Sequence, residues 1–182
     1  MTRDEEAEQI ARAAAGDRMA MHRLVSDYSP AVYRLAFRML SRVEDAEDVT
    51  QEAFLRAWKV LPKWKPDAKL STWLHRVALN LCYDRLRKPR EPLFSEPPEQ
   101  ADSAHKRPDA RLQQTQIKKA VETAIQSLPD RQRAALTLTA LEGHSNKLAA
   151  EMMDISLQAI ESLLARARRS LKTELTPLKD SL

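Results

Sequence analysis

Apolar residues recur at helical spacing along most of the chain, with polar residues between them. Residues 2–15 and residues 19–40 both carry such a stripe, and Gly16 stands between the two segments. Apolar side chains three and four residues apart share one face of a helix, so each segment predicts an amphipathic helix. Ser41 follows, and Glu44 stands three residues later, at the spacing of a capping box. This spacing predicts that Ser41 caps a third helix.

A similar pattern in residues 148–172 divides into two short helices with a break at residues 154–156. Ser156 suits the N-cap of the second helix, because its hydroxyl can accept a free backbone N–H. The apolar face of that helix is predicted to lie in the core and contains Leu157, Ile160, Leu164, Ala167 and Leu171. Its opposite face ends in a basic group that contains Arg166, Arg168, Arg169 and Lys172. The pattern predicts a DNA-binding helix-turn-helix, and the alternative is a helical hairpin with a solvated basic face.

Residues 44–61 predict a helix that is acidic on one side. Acids in its first turn suit the helix dipole, which accounts for the first few of them. A further set falls at positions i, i+3, i+4 and i+7, and therefore forms one continuous face: Asp48, Gln51, Glu52 and Leu55. Two interpretations stay open, a solvated face and a protein-binding surface. No histidine stands near these acids in the sequence, so a metal site is not favoured.

The sign of the charge reverses after these acids. Residues 56–88 contain nine Lys and Arg against two Asp, and Trp58, Trp64 and Trp73 lie in the same stretch. Basic residues interleaved with aromatic ones are typical of surfaces that bind single-stranded nucleic acid. The alternative is that the tryptophans belong to the core. Trp73 continues a helical apolar series and is predicted to be buried, as is the neighbouring Cys82, whereas Trp64 lies in a loop and is the candidate for exposure.

A proline-rich segment divides the chain into two parts. Residues 89–108 hold five of the ten prolines, and helical patterns resume near residue 111. We therefore predict an all-α protein with two small helical domains, the second of which carries the helix-turn-helix. The predicted boundaries are residues 1–88 for the first domain, 89–110 for the linker and 111–182 for the second domain.

Composition excludes several other classes of protein. Two glycines among 182 residues disfavour a turn-rich β fold and any glycine-rich phosphate loop. One cysteine permits no internal disulfide, and a net charge of +4 is compatible with a nucleic-acid partner. Neither a signal peptide nor an apolar run of membrane-spanning length is evident, so we expect a cytoplasmic protein. We expect no cofactor and no metal.

Three separate stretches carry a family signature. DAEDVTQEAFLRAW at residues 45–58 is similar to the pattern DAEDxxQExFxxAW, and LSTWLHRVALN at residues 70–80 is similar to xSTWLxRIAxN. SLP at residues 127–129, followed by a helix-turn-helix that ends in ARARR at residues 165–169, forms the third. In this order they resemble bacterial RNA polymerase sigma factors of the extracytoplasmic-function type.

The resemblance implies a factor without catalytic activity that directs core RNA polymerase to promoters, in a stress or environmental response, and that an anti-sigma factor holds inactive. By matching positions, core polymerase would contact Asp45, Asp48, Gln51, Glu52 and Leu55. The melted non-template strand of the upstream element, with one flipped base, would contact Lys63, Trp64, Lys65, Lys69, Arg76 and Asn80. The distal element would be read as duplex DNA by Ser156, Gln158, Glu161, Ser162, Arg166 and Arg169.

Two residues depart from the family pattern, and two other functions compete with it. Asp154 stands where the family often has glycine, and Glu161 stands where it often has a base; an acid there disfavours phosphate but can accept from the amino group of cytosine. One rival is a stand-alone helix-turn-helix regulator. The other is a small enzyme that uses the carboxylates of residues 44–52, although no nucleophile or phosphate loop accompanies them.

Overall fold

The computed structural model describes residues 2–65, 69–88 and 108–179, and every regular element in those ranges is helical. The elements are α1 Arg3–Ala14, α2 Arg18–Leu40, α3 Val43–Val60, a 3-10 turn Leu61–Lys63, α4 Leu70–Arg87, α5 Pro108–Ser127, α6 Asp130–Leu136, a π turn Thr137–Leu141, α7 Asn146–Met153 and α8 Leu157–Lys179. The predicted all-α class is therefore confirmed. Most of the predicted linker falls outside the described residues.

The first compact unit contains α1 to α4. Helix α2 lies at its centre and packs against the other three helices. The apolar stripe of α2 forms much of the core, in which Leu24, Leu35 and Met39 are completely buried. Burying a leucine or methionine side chain contributes roughly 1.5–3 kcal/mol, so this central helix organises the unit. Cys82 on α4 is buried as predicted.

The prediction that Ser41 caps the third helix is wrong. Ser41 instead ends α2, with a left-handed backbone (φ 55°) and its N–H bonded to the carbonyl of Phe37 at 2.7 Å. The N-cap of α3 is Arg42, which makes no side-chain capping bond. A residue in the left-handed conformation satisfies carbonyls at a helix C-terminus, and this use of Ser41 competes with capping the following helix.

The second compact unit contains α5, α6 and α8, together with the first part of the short helix α7, up to Ala150. Its core includes Leu128, Leu136 and Ala167, against which Ile125 and Leu171 pack. The break between α5 and α6 is held by Arg133, a buried side chain that donates to the carbonyls of Gln126 at 2.9 Å and Leu128 at 3.1 Å. Paired donors of this kind are needed because buried backbone carbonyls at a helix end are costly to leave unbonded.

Within the described ranges, no helix is both long and apolar enough to cross a membrane.

Helix α5 begins at Pro108, three residues earlier than the sequence pattern predicts. The exact domain boundaries stay predictions.

Candidate functional site

The acidic face of α3 is exposed and continuous. Asp48, Gln51, Glu52 and Leu55 line one shallow depression of about 310 Å³. Val49, Ala53 and Ala57 of the same helix are buried, so the division of α3 into an inner and an outer face is as the spacing predicts. Leu55 is 46% exposed. A single exposed leucine is common on protein surfaces, so the distinguishing feature of this face is the depression that the four side chains line together.

Arginines line this face and reduce its net negative charge. Arg85 of α4 lies 3.9 Å from Asp45 and 3.8 Å from Asp48, and Arg56 lies 2.8 Å from Glu52. The hydrogen bond from Arg56, more than any other influence, lowers the pKa of the Glu52 carboxyl. The sequence pattern did not associate Arg85 with the acids, since it stands some forty residues away in the chain.

An apolar groove of about 580 Å³ adjoins the acidic face, between α2 and α3. Tyr33 and Pro30 of α2 line one side, and Phe54, Leu55 and Trp58 of α3 line the other. Leu55 borders both the groove and the acidic depression. Sequence reasoning missed the groove because its two walls come from different helices, although Phe54 and Trp58 both stand in the first signature stretch.

The three tryptophans do not form one aromatic surface. Trp58 packs against Phe54, with 5.9 Å between ring centroids, and lines the groove of α2 and α3. Trp64 and Trp73 pack edge to face at 6.0 Å and 89°. Both are partly buried, so the prediction of a buried Trp73 needs correction, and Trp64, the candidate for exposure, is only partly exposed. An edge-to-face pair leaves each ring partly covered and partly available.

The segment of residues 63–69, called the basic loop below, leads directly into α4. Its Trp64 packs on Trp73 of that helix. Lys63, Lys65 and Lys69 are exposed, and residues 66–68 between them lie outside the described part of the structure. On α4, Arg76 is partly buried and Asn80 is exposed. Arg76 and Asn80 share a helix face with Trp73, because the three positions are separated by three and four residues.

The turn before α8 has the geometry that the sequence predicts. Ser156 Oγ accepts from the backbone N–H of Ala159 at 3.1 Å, which confirms Ser156 as the N-cap. Asp154 takes the left-handed conformation, with φ of 55°, at the position where the resembling family often has glycine. Aspartate is one of the few non-glycine residues that visit this region, so the departure from the family pattern leaves the turn intact.

Helix α8 presents a polar and basic face to solvent. The predicted contact residues on it are all exposed: Ser156, Gln158, Glu161, Ser162, Arg166 and Arg169. Ile160, Leu164 and Ala167 face the core as predicted. Leu157 does not, since it is 48% exposed at the start of the helix. A first-turn position has no preceding turn to cover it, so helical spacing alone overestimates its burial.

Two protein-family models match the chain. The profile described as Sigma-70 region 2 matches residues 24–91, and the profile described as Sigma-70, region 4 matches residues 118–171. The first match covers the acidic helix and the basic loop, and the second covers the helix-turn-helix.

Individual sigma factors are similar to the chain over most of its length. The chain is 30% identical to the RNA polymerase sigma-H factor of Pseudomonas aeruginosa over 98% of this chain and 97% of the relative. It is 35% identical to the ECF RNA polymerase sigma factor SigM of Mycobacterium tuberculosis, over 91% and 82%. Among solved structures, CnrH in complex with the cytosolic domain of CnrY superposes with a TM-score of 0.68 at 27% identity, covering 93% of this chain and 96% of CnrH.

Proposed function

Since this chain belongs to the extracytoplasmic-function sigma factors, which direct core RNA polymerase to specific promoters, we propose that three of its surfaces divide that work. The acidic face of α3 binds the polymerase, the loop and α4 bind melted DNA, and α8 binds duplex DNA. Sigma factors are initiation factors rather than enzymes, and we assign no catalytic residue to the chain.

The observation that carries the polymerase contact is the depression formed by Asp48, Gln51, Glu52 and Leu55. Its acids attract a basic partner, and the adjoining groove of Phe54 and Trp58 offers apolar area to the same partner. Apolar anchors inside a charged rim are typical of protein interfaces with high affinity. Asp45 belongs to this surface through its ion pair with Arg85.

The upstream promoter element is proposed to bind as an unpaired strand. Lys63, Lys65 and Lys69 supply positive charge along the backbone of that strand, and the partly exposed Trp64 supplies an aromatic face. Asn80 and Arg76 complete the proposed surface on α4, where the exposed Asn80 would hydrogen-bond a flipped base. A flipped base exposes an edge that is inaccessible in the stacked duplex.

The distal element is proposed to bind along α8 in the major groove. Ser156, Gln158, Glu161 and Ser162 occupy the first part of the helix, where the residues of a recognition helix reach base edges. Arg166 and Arg169 lie further along and contact phosphates. Phosphate contacts fix the position of the helix on DNA, while base contacts decide which sequence is preferred.

An anti-sigma factor and a cytoplasmic location complete the proposal. CnrH, to which the chain is similar over most of its length, is in complex with the cytosolic domain of CnrY in its solved structure. The exposed Leu55 and the groove beside it give such a regulator an apolar surface to occlude. We propose that the induced state answers a stress or environmental signal.

In vitro transcription tests the proposal. Core polymerase is incubated with the full chain and a library of genomic fragments, and transcript start sites are sequenced. We expect starts clustered downstream of a shared two-part motif that is absent from reactions with core alone. If adding the chain produces no promoter-dependent transcript from any template, the proposed function is wrong.

A further inference from the structure

The start of α4 is bonded to a side chain of α1, which stands 64 residues earlier in the chain. The N-cap of α4 is Lys69, whose side chain makes no capping bond. Instead the backbone N–H of Leu70 donates to Glu6 Oε1 of α1, at 3.3 Å. Free N–H groups in a first turn require an acceptor, and a carboxylate there also interacts favourably with the helix dipole. Glu6 therefore performs the capping role that the local sequence lacks.

Glu6 is itself held in place by a second bond. Tyr28 of α2 donates its hydroxyl to the same Oε1 atom of Glu6, at 2.8 Å. Burial first, and the bond to Glu6 second, raise the pKa of Tyr28, so its hydroxyl stays protonated as a donor. One oxygen thus joins α1, α2 and the first residue of α4.

Helix α1 also supports the other end of the basic loop. It packs against the 3-10 turn Leu61–Lys63, in which Leu61 is buried. Trp64 follows, with its N–H bonded to the carbonyl of Leu61 at 3.0 Å and its ring against Trp73 of α4. The loop that carries the exposed lysines therefore starts and ends on groups that α1 contacts.

From this arrangement we propose that Glu6 is a positioning residue for the strand-binding surface. It fixes where α4 begins, and through that the placement of Lys69, Trp73 and Asn80 relative to the turn at residues 61–64. Glu6 does not touch DNA in this role. The inference rests on the proposed function of the loop and α4 in binding melted DNA.

Substitutions at Glu6 separate its charge from its hydrogen bonding. Because both bonds end on one oxygen, Glu6→Gln keeps an acceptor for Tyr28 and Leu70, whereas Glu6→Ala removes it. Tyr28→Phe removes one donor and leaves the ring. Glu8→Ala is the matched control, since Glu8 is an exposed carboxylate on the same helix. Circular dichroism of each variant checks that the helical content is unchanged.

The assay uses the full chain bound to core polymerase. The probe is a labelled oligonucleotide with the non-template strand of a promoter selected with the wild-type holoenzyme, and its dissociation constant is measured by fluorescence anisotropy. We expect Glu6→Ala to weaken binding roughly fivefold, the equivalent of about one hydrogen bond. Glu6→Gln should restore most of that affinity, Tyr28→Phe should be intermediate, and core binding should be unchanged in all of them.

Two results would overturn the inference. One is equal affinity for Glu6→Ala and Glu8→Ala, and the other is a defect in Glu6→Gln as large as that in Glu6→Ala. Asn80→Ala in the same assay tests the proposed function separately. If Asn80→Ala weakens binding and Glu6→Ala does not, only the positioning role is wrong. If Asn80→Ala has no effect, the proposed base contact is wrong, and the Glu6 variants still decide the positioning role by their own comparison.

Discussion

Asn80 is the single residue whose proposed role depends most on DNA being unpaired. It is exposed on α4 beside the partly buried Arg76. We predict that Asn80→Ala slows open-complex formation on duplex promoters, measured by permanganate reactivity of unpaired thymines. The defect should shrink on templates mismatched at the upstream element, because part of the cost of unpairing, a few kcal/mol, is already removed. Equal defects on both templates would indicate base reading without a role in melting.

The exposed face of α8 should divide into residues that fix position and residues that read bases. Replacing Arg166 or Arg169 with alanine removes a bond to phosphate, so binding should weaken about equally on all sequences and the salt slope should fall by about one. Replacing Gln158 or Ser162 should instead change which bases are preferred, by roughly 1–3 kcal/mol for each well-formed hydrogen bond to a base edge.

Salt titrations of the holoenzyme on matched and mutated promoters distinguish these two classes. Lys172→Ala is a useful comparison, since Lys172 is exposed and lies three residues beyond Arg169, on the same side of the helix but farther from its start. If Arg166→Ala changes sequence preference and leaves the salt slope intact, the assignment of roles along α8 is incorrect.

At the scale of elements, α3 is a helix whose two faces differ in burial and in charge. Its inner face is buried, and its outer face combines acids with the exposed Leu55. We predict that the double change Asp48→Lys and Glu52→Lys weakens core binding at least tenfold, because two attractions become repulsions and the ion pairs with Arg56 and Arg85 are broken. Isothermal titration calorimetry against core polymerase measures this. Circular dichroism should show unchanged helical content, since both positions lie on the outer face.

The double change Asp27→Lys and Glu44→Lys is the matched control, because it makes the same change of charge on α2 and α3. Both residues are exposed and neither lines the depression of Asp48 and Glu52. If both double variants bind core equally well, the acidic face is a solvated surface. Neither residue lines the apolar groove, so a comparable loss of core binding in this control would contradict the assignment to the acidic face.

Helical spacing predicted correctly which side chains are buried within a single long helix. It predicted poorly at helix ends and where two helices contact each other. It predicted the buried faces of α2, α3 and α8, because burial within a long helix follows its period. It failed at helix ends, where Leu157 is exposed and Ser41 closes α2 instead of opening α3. It also missed Arg85 and Glu6, whose partners on other helices stand far away in the chain. Interactions of that range depend on packing between helices, which periodicity does not encode.

The charge of the whole chain also fits a protein that requires its polymerase. A net charge of +4 on 182 residues gives weak attraction to any DNA, and the acidic outer face of α3 opposes DNA rather than binding it. The free chain would have to unpair the duplex itself, and unpairing costs a free energy of a few kcal/mol for each flipped base. A single recognition helix binds limited area, and such modules bury only about 600–1,000 Å².

We therefore predict that the free chain binds promoter duplex with little sequence preference, whereas the holoenzyme binds it specifically. Fluorescence anisotropy on matched and scrambled promoters, with and without core polymerase, measures both preferences. The free chain should show a small difference between the two sequences and a steep fall of affinity with salt, because bonds to phosphate dominate its binding. Core should raise the preference for the matched promoter, because it brings two DNA-binding surfaces of one chain to one promoter and each then increases the effective concentration of the other. If the free chain prefers the matched duplex as strongly as the holoenzyme does, it acts as a stand-alone regulator and the polymerase is dispensable for recognition.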